Sequence, residues 1–462
     1  MAELRKLVHF GVGSFHRGHQ AYYVQRLNDL SDAKEQWQYT GVNLRKESRA
    51  LVQKLAAQNG AFWFKTISAS GECTYRKIES IRALVDASSD LAGFDSLFAD
   101  RTVKAITITV TEGGYYLTDS DDLNLVHSEV AADTNPANQP VTLYGFLARA
   151  LRIRQQATGE PITVLTCDNL RNNGARLEAA FRQFLAAQGD GKLLAWLDAN
   201  VTFPACMVDR ITPVPPADLP ADILAETGEM DACPVMGEDF EQWVIEDKFA
   251  CDFPALERVE VTFTQDVHAF EETKIRILNG GHFLLSYVGA LRGYQTYDEN
   301  IRDEELNGLL LRYHRDEVIP TIENPPVDLE AYRATIIERF SNRYIADSIA
   351  RIAADSLSKF SGFILPSVER TLKAGRDPAN ARVLIAHWYC FLALYIEGKF
   401  VFNYADPYLP MAKAWFAGKD PVDGFLDSSD LWQGCNQRYP AFREALKNEI
   451  DIQMMHYRKQ YP

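Results

Sequence analysis

The sequence has seven cysteines, at 73, 167, 206, 233, 251, 390 and 435, and no CxxC pair. An odd number without paired spacing argues against a disulfide framework and against a structural zinc site, and it makes the cytoplasm the expected compartment. A basic surplus is also missing. Lys and Arg total 48 against 63 Asp and Glu, a formal net charge of −15, which opposes non-specific binding to nucleic acid or to an anionic membrane face. The longest apolar stretch, Val383 to Ile396, is too short to span a bilayer and contains His387, so it reads as a buried core helix. The opening MAELRKLVHFGVG has neither an apolar h-region nor a small-residue cleavage site, so no signal peptide is expected. Nine histidines are scattered, and only His16 and His19 lie close together. The three or four ligands of a catalytic metal site are not spaced for, and no metal is expected. There is no internal repeat, no low-complexity segment and no heptad pattern, which is consistent with a monomer.

What is present is a chain of 462 residues with 47% hydrophobic and 24% charged residues, enough for two or three globular domains. Leu7–Val12 reads as a strand, followed by a helix from about His16 to Leu30. Tyr39–Leu44, Ala105–Val110 and Ile162–Thr166 are further short runs rich in β-branched residues, as in buried parallel strands. This alternation predicts an α/β fold with an N-terminal Rossmann-type doubly wound sheet. Thr212–Leu219 is a proline-rich connection and Val259–Phe263 a late strand. Beyond that, helical periodicity covers 271–295, 303–315, 328–339, 344–359, 365–373, 379–397 and 438–456. The expectation is a cofactor domain over 1–265 and an all-α C-terminal domain over 266–462.

Five segments carry candidate chemistry. Gly11-Val12-Gly13-Ser14-Phe15-His16-Arg17 joins the first strand to the first helix. Its two glycines suit a tight turn and close backbone approach to a pyrophosphate, although His16 stands where the usual fingerprint has a third glycine. At the end of the second strand, after Asn43, Glu47 could accept from ribose hydroxyls, which favours NAD. Arg45 and Lys46 could instead take a 2′-phosphate, which leaves NADP open. Thr111, Glu112 and Gly113 follow one strand and Cys167-Asp168-Asn169 the next, at the carboxyl ends where open α/β sheets bind ligands. Asn169 could donate its amide to a substrate oxygen, or serve only as a turn or helix cap.

The fifth segment is Lys274-Ile275-Arg276-Ile277-Leu278-Asn279-Gly280-Gly281-His282. On a 3.6-residue wheel with Lys274 at zero, His282 falls at roughly 80° and Asn279 at roughly 140°, while most apolar residues take the other side. Gly280-Gly281 permits close approach of a ligand or another backbone. Lys274 could act as a base if its pKa fell from about 10.4 to about 7–8, a shift equivalent to roughly 4 kcal/mol. The same helix could equally be structural, with Lys274 paired to a carboxylate.

Seven segments, taken together, resemble the mannitol dehydrogenase family of polyol-specific long-chain dehydrogenases. They are GVGSFHRGHQ at 11–20, TVTEGGYY at 109–116, TCDNLRNNG at 166–174, FPACMVDRITP at 203–213, QWVIEDKF at 242–249, KIRILNGGH at 274–282 and ERFSNRYIADSIARIAADSLSKF at 338–360. The resemblance implies metal-independent NAD-dependent oxidation of a free polyol of the D-arabinitol or D-mannitol type, and the reverse reduction. It implies Lys274 as general base, Asn169 and Asn279 as donors to the reacting oxygen, and His282 as a group that holds the substrate or orients Lys274. Asp209, Arg351 and Lys359 are implied to line the polyol site. It also fits Gly11, Gly13, Phe15, His16 and Arg17 to the cofactor turn. A hexuronate reductase on the same scaffold, with Arg351 and Lys359 as carboxylate binders, is one alternative. A sugar-alcohol phosphate dehydrogenase and a non-catalytic NAD(P)-binding sensor are two others.

Overall fold

The computed structural model describes residues 5–462. The chain divides into two compact units. The first runs to Ser68 and resumes over Glu72–His268; the second comprises Ala69–Gly71 and Ala269–Pro462.

The first unit is built on six strands: β1 (Arg5–Phe10), β2 (Trp37–Asn43), β3 (Ile81–Asp86), β4 (Val103–Ile108), β5 (Ile162–Thr166) and β6 (Val201–Thr202). All neighbouring pairs are parallel. In space the order is β3-β2-β1-β4-β5-β6, the Rossmann arrangement, with its reversal between β1 and β4. Strand alternation sorts the side chains onto two buried faces. Val8, Phe10, Ile106, Ile108 and Val164 join one core with Phe94, Phe146 and Phe181 of the covering helices. Leu7, Tyr39, Ala105 and Leu165 join the other, with Val24 and Leu27.

That second face also carries two three-stranded sheets that periodicity did not reveal. One pairs Phe62–Ile67 with Cys73–Ile78 and Val235–Glu238; the other pairs Gln242–Glu246 with Cys206–Asp209 and Thr262–Thr264. The late strand expected at 259–263 is Thr262–Thr264 only. Leu256–Val259 forms a 3-10 turn, and Glu260 adopts φ +71°. The helix expected from His16 is interrupted: Ser14–Gly18 and Gln20–Asp29 are separate, with His19 at φ −127° between them.

Among the described residues no strand follows Thr264, and the second unit is helical. Its axis is one run made of Val267–Lys274, a π-helical turn Ile275–Asn279 and Gly280–Arg292. Every residue from Gly280 to Leu291 is buried. Ala379–Ile396 packs in the same core through Leu384, Trp388 and Phe391. By length and composition it could cross a membrane, but most of it is covered by the unit itself. The helix expected over 344–359 is two short ones, Ile349–Ala353 and Ser356–Phe363, because Asp355 takes φ +58°. Residues 344–348 precede them outside any helix.

Candidate active site and cofactor cradle

In the first unit the candidate residues gather at the carboxyl edge of the parallel sheet. Gly11 has φ +93°, and a Cβ there would lie 1.9 Å from the carbonyl oxygen of Thr109. Only glycine fits, because β1 and β4 end against each other at the reversal of strand order. Gly13 is different. A Cβ on it would meet nothing closer than Gly11 O at 3.8 Å, and one on Gly113 would meet nothing within 4 Å. Neither glycine is required by packing within the chain, and Gly113 faces open space.

His16 explains its own departure from the fingerprint. Its ring stacks on His9 of β1 at 3.5 Å and 7°, with Tyr39 of β2 edge-on at 4.9 Å. The first helix turn therefore packs on the sheet through an imidazole stack where a third glycine would allow close contact. Burial pushes His9 down to about 3 and His16 well below its usual value, so both rings are neutral. Arg17 is likewise buried. Its guanidinium donates to Gly13 O at 3.3 Å and to Cys233 O, so this side chain fastens the turn from behind. Phe15 stacks on His19 at 5.0 Å.

Asn43 is buried and donates to Asp86 at 2.9 Å and to Arg45 O at 2.7 Å, which shapes the turn that leaves β2. Glu47 is exposed on the following 3-10 turn. Arg45 donates to the Tyr116 hydroxyl at 2.5 Å and lies 3.7 Å from Glu129, to which Tyr116 also donates. These three side chains, with Thr111, Gly113 and His127, line a cavity of about 630 Å³ beyond β2 and β4.

Asp168 was not singled out by the sequence, although it sits within CDN. Its carboxylate accepts from Val110 N at 2.9 Å, Thr111 N at 3.1 Å and the Tyr115 hydroxyl at 2.7 Å. It thereby holds Thr111 at φ +65°, a conformation that β-branched residues avoid. Burial raises the Asp168 pKa from its ordinary value. The next residue, Asn169, is exposed just past β5 and does not cap the helix, which begins at Asn173 after an Asn172 cap. Asp209 is buried at the end of Cys206–Asp209, opposite Gln242.

In the second unit Lys274 is 7% exposed, at the last residue before the π turn. That turn changes the wheel. An i→i+5 turn advances by about 80° per residue against about 100° in an α-helix. Five such residues swing Asn279 from roughly 140° to roughly 40°, and His282 from roughly 80° to roughly −20°, close to Lys274. The three side chains share a narrower stripe than regular periodicity suggests. Asn279 is half-buried. Arg276 points elsewhere: it is fully buried and donates to Ser367 at 3.1 Å and to Thr321 O at 2.9 Å.

The two glycines serve packing. A Cβ on Gly281 would lie 2.5 Å from His314 Nε2, and one on Gly280 would lie 3.1 Å from Phe363 O. His282 stacks on Phe340 at 4.7 Å and meets Tyr297 edge-on at 4.2 Å. Burial lowers its pKa to about 3. Its Nε2 faces Asp347 Oδ2 at 3.8 Å, and Asp347 in turn binds Arg351, Nε to Oδ1 at 2.7 Å. Asp347 was also missed, although its i, i+4 spacing to Arg351 was a readable signal. Lys359 donates to Ala354 O at 2.6 Å and lies 4.0 Å from Asp355.

Lys274, Asn279, His282 and Arg351 thus belong to the second unit, and Asn169, Asp209 and the cofactor turn to the first. Among the described residues no three His, Cys, Asp or Glu side chains cluster as a metal site would.

Strand order, glycine turn and open carboxyl edge define a Rossmann-type dinucleotide-binding protein with an added helical unit. Residues 5–258 match the mannitol dehydrogenase Rossmann domain and residues 266–452 the mannitol dehydrogenase C-terminal domain. The chain belongs to the mannitol dehydrogenase family. It is 42% identical to a D-arabinitol 4-dehydrogenase of Ralstonia nicotianae, over 94% of this chain and 93% of that protein. It is 35% identical to a polyol:NADP oxidoreductase of Gluconobacter oxydans, over 98% of this chain and 92% of that protein. The structure of mannitol 2-dehydrogenase from Pseudomonas fluorescens, solved with NAD and D-mannitol, matches with a TM-score of 0.84 at 32% identity, covering 99% of this chain and 95% of that one.

Proposed function

We propose that the protein interconverts a free polyol and its ketose with NAD as the redox partner, and that Lys274 is the base. The observation that supports the reading is the π turn directly after the buried Lys274, because helical geometry then puts Lys274, Asn279 and His282 on one stripe of the second unit's central helix. The relatives are polyol dehydrogenases by name, one of them solved with NAD and D-mannitol, which supports the same chemistry. The division of labour follows: residues 1–265 hold the cofactor, and residues 266–462 supply the base and most of the polyol site.

NAD supplies the hydride acceptor. Neutral Lys274 accepts the proton of the hydroxyl being oxidised. The amides of Asn169 and Asn279 donate to that oxygen as negative charge builds, an effect worth about 3–4 kcal/mol per donor in acyl transfer. His282, neutral because it is buried, orients a substrate hydroxyl or Lys274. Asp209, Arg351 and Lys359 line the remainder of the polyol site. On the cofactor side, Gly11, Gly13, Phe15, His16 and Arg17 form the turn, with only backbone of His16 and Arg17 toward the dinucleotide. Asn43 and Glu47 serve the ribose, and Thr111, Glu112 and Gly113 the opposite wall.

NAD is favoured over NADP because Arg45, the cation best placed for a 2′-phosphate, is already engaged by Tyr116 and Glu129. A polyol is favoured over a hexuronate because Arg351 is bound to Asp347 and Lys359 to Ala354 O. The seven cysteines are all free, which suits a reducing cytoplasm. The net charge of −15 suits neither nucleic acid nor membrane as a partner, and we propose a monomer.

The test is NADH formation by chelator-treated protein on D-arabinitol, D-mannitol, D-sorbitol and xylitol, with NAD and with NADP. Turnover of at least one polyol supports the reading. Silence on all four with activity on fructuronate or tagaturonate overturns it.

A further inference from the structure

The carboxylate of Asp347 faces His282 and is held in place from several sides. Its Oδ1 accepts from Arg351 Nε at 2.7 Å and its Oδ2 from the terminal nitrogen of the same guanidinium. Such a two-point pair occupies the planar face that would otherwise take a substrate carboxylate. The backbone around it is fixed as well. Asp347 O accepts from Tyr297 N at 2.9 Å, Ile349 N donates to Gln295 O at 3.0 Å, and Ser348 bridges to Thr296. Asp347 is 11% exposed at its side chain, while Arg351 is 64% exposed. The acid is therefore a built-in element, and the guanidinium reaches over to it from the rim. Oδ2 also faces His282 Nε2 at 3.8 Å, beyond hydrogen-bond length, so one hydroxyl or water can bridge Nε2 and the lone pair of Oδ2 that Arg351 does not use.

Resting on the polyol reading above, we infer that Asp347 is a specificity-determining residue: by occupying Arg351 it reserves this wall for neutral hydroxyls and turns away sugar acids of the same skeleton. A polyol hydroxyl donates to Oδ2 and accepts from the Nε2–H of the neutral imidazole. A carboxylate in that place would meet a fixed like charge, and its natural partner, Arg351, is already taken. Discrimination comes from the repulsive element as much as from the attractive one.

The experiment compares wild type, Asp347→Asn and Asp347→Asn/Arg351→Ala. The substrates are the polyol the wild type oxidises best and the aldonate that carries a carboxylate in place of one terminal CH2OH. Thermal melts confirm folding, and Asp347→Ser carries the same comparison if the asparagine variant does not fold. In the single variant the kcat/KM ratio of aldonate to polyol rises at least about tenfold, chiefly through a lower aldonate KM, and Arg351→Ala removes the gain. A purely structural Asp347 would depress both substrates together and leave the ratio alone. A wild type that prefers polyol, with an Asp347→Asn ratio unchanged or a gain that survives Arg351→Ala, overturns this inference and leaves the polyol reading standing. A wild type that prefers the aldonate, or turns over neither, overturns both.

Discussion

The Tyr115 hydroxyl donates to Asp168 at 2.7 Å, tying the loop after β4 to the end of β5. Val110 and Thr111 donate their backbone N–H groups to the same carboxylate at 2.9 and 3.1 Å. Asp168→Ala leaves three donors without this acceptor and frees Thr111 from its φ of +65°. A loss of about 2–4 kcal/mol in stability is expected, from the unmet hydrogen bonds. A weaker NADH affinity is expected with it. Urea melts and a fluorescence titration with NADH measure the two.

Gly11→Ala puts a Cβ 1.9 Å from the Thr109 carbonyl at φ +93°. Backbone cannot yield as a side-chain tip can. The variant should lose about 2–5 kcal/mol from strain and overpacking together. Gly13→Ala, whose Cβ would meet nothing nearer than 3.8 Å, should keep wild-type stability while weakening dinucleotide binding. A pair of melts and NADH titrations separates a turn glycine from a cradle glycine.

Cofactor preference is expected to respond to Glu129. In Glu129→Gln the carboxylate that faces Arg45 at 3.7 Å is lost, and Arg45 becomes available to a 2′-phosphate. Both side chains are near the surface, so the change is small: about two- to fivefold toward NADP in the ratio of dissociation constants. Equilibrium titration with NADPH and NADH reads it.

Stability should depend on pH through buried histidines. Burial lowers His9, His282 and His314 to about 3 and His387 to about 4, and holds His16 well below its usual value. These rings stay neutral in the folded protein but take up protons in the unfolded chain below about 6.5. Their contribution is therefore intact above about pH 6.5 and is lost as pH falls toward about 3, at up to about 1.4 kcal/mol per pH unit for each ring. Urea midpoints should be level from pH 8 to 7 and fall steeply from pH 6.5 to 5.

The sheet was legible where the strands are buried on both faces. Ile162–Thr166 was read at its observed bounds because Pro161 and Cys167-Asp168 punctuate a β-branched run. Phe62–Ile67 was missed because its outward positions carry Trp63 and Lys65, so the apolar–polar alternation is broken by an aromatic at its start. The break at Asp355 was missed because a left-handed aspartate within AADS carries no glycine to mark it. The π turn was invisible for a different reason. It is selected by tertiary packing around Arg276, Gly280 and Gly281, which sit against Ser367, Phe363 and His314. The motif thus pointed to the right residues, while the 3.6-residue wheel set Asn279 and His282 at wrong angles from Lys274.

The most direct measurement is pre-steady-state NADH formation by Lys274→Met, on the polyol that the wild type oxidises, beside an NADH titration of the same protein. If Lys274 is the base, the hydride step slows about 10²–10⁴-fold while NADH affinity stays within about threefold of wild type. The residual rate should also lose the rise with pH that a neutral lysine imposes on the wild type. A variant that forms NADH at the wild-type rate, with the same pH profile, would contradict the account.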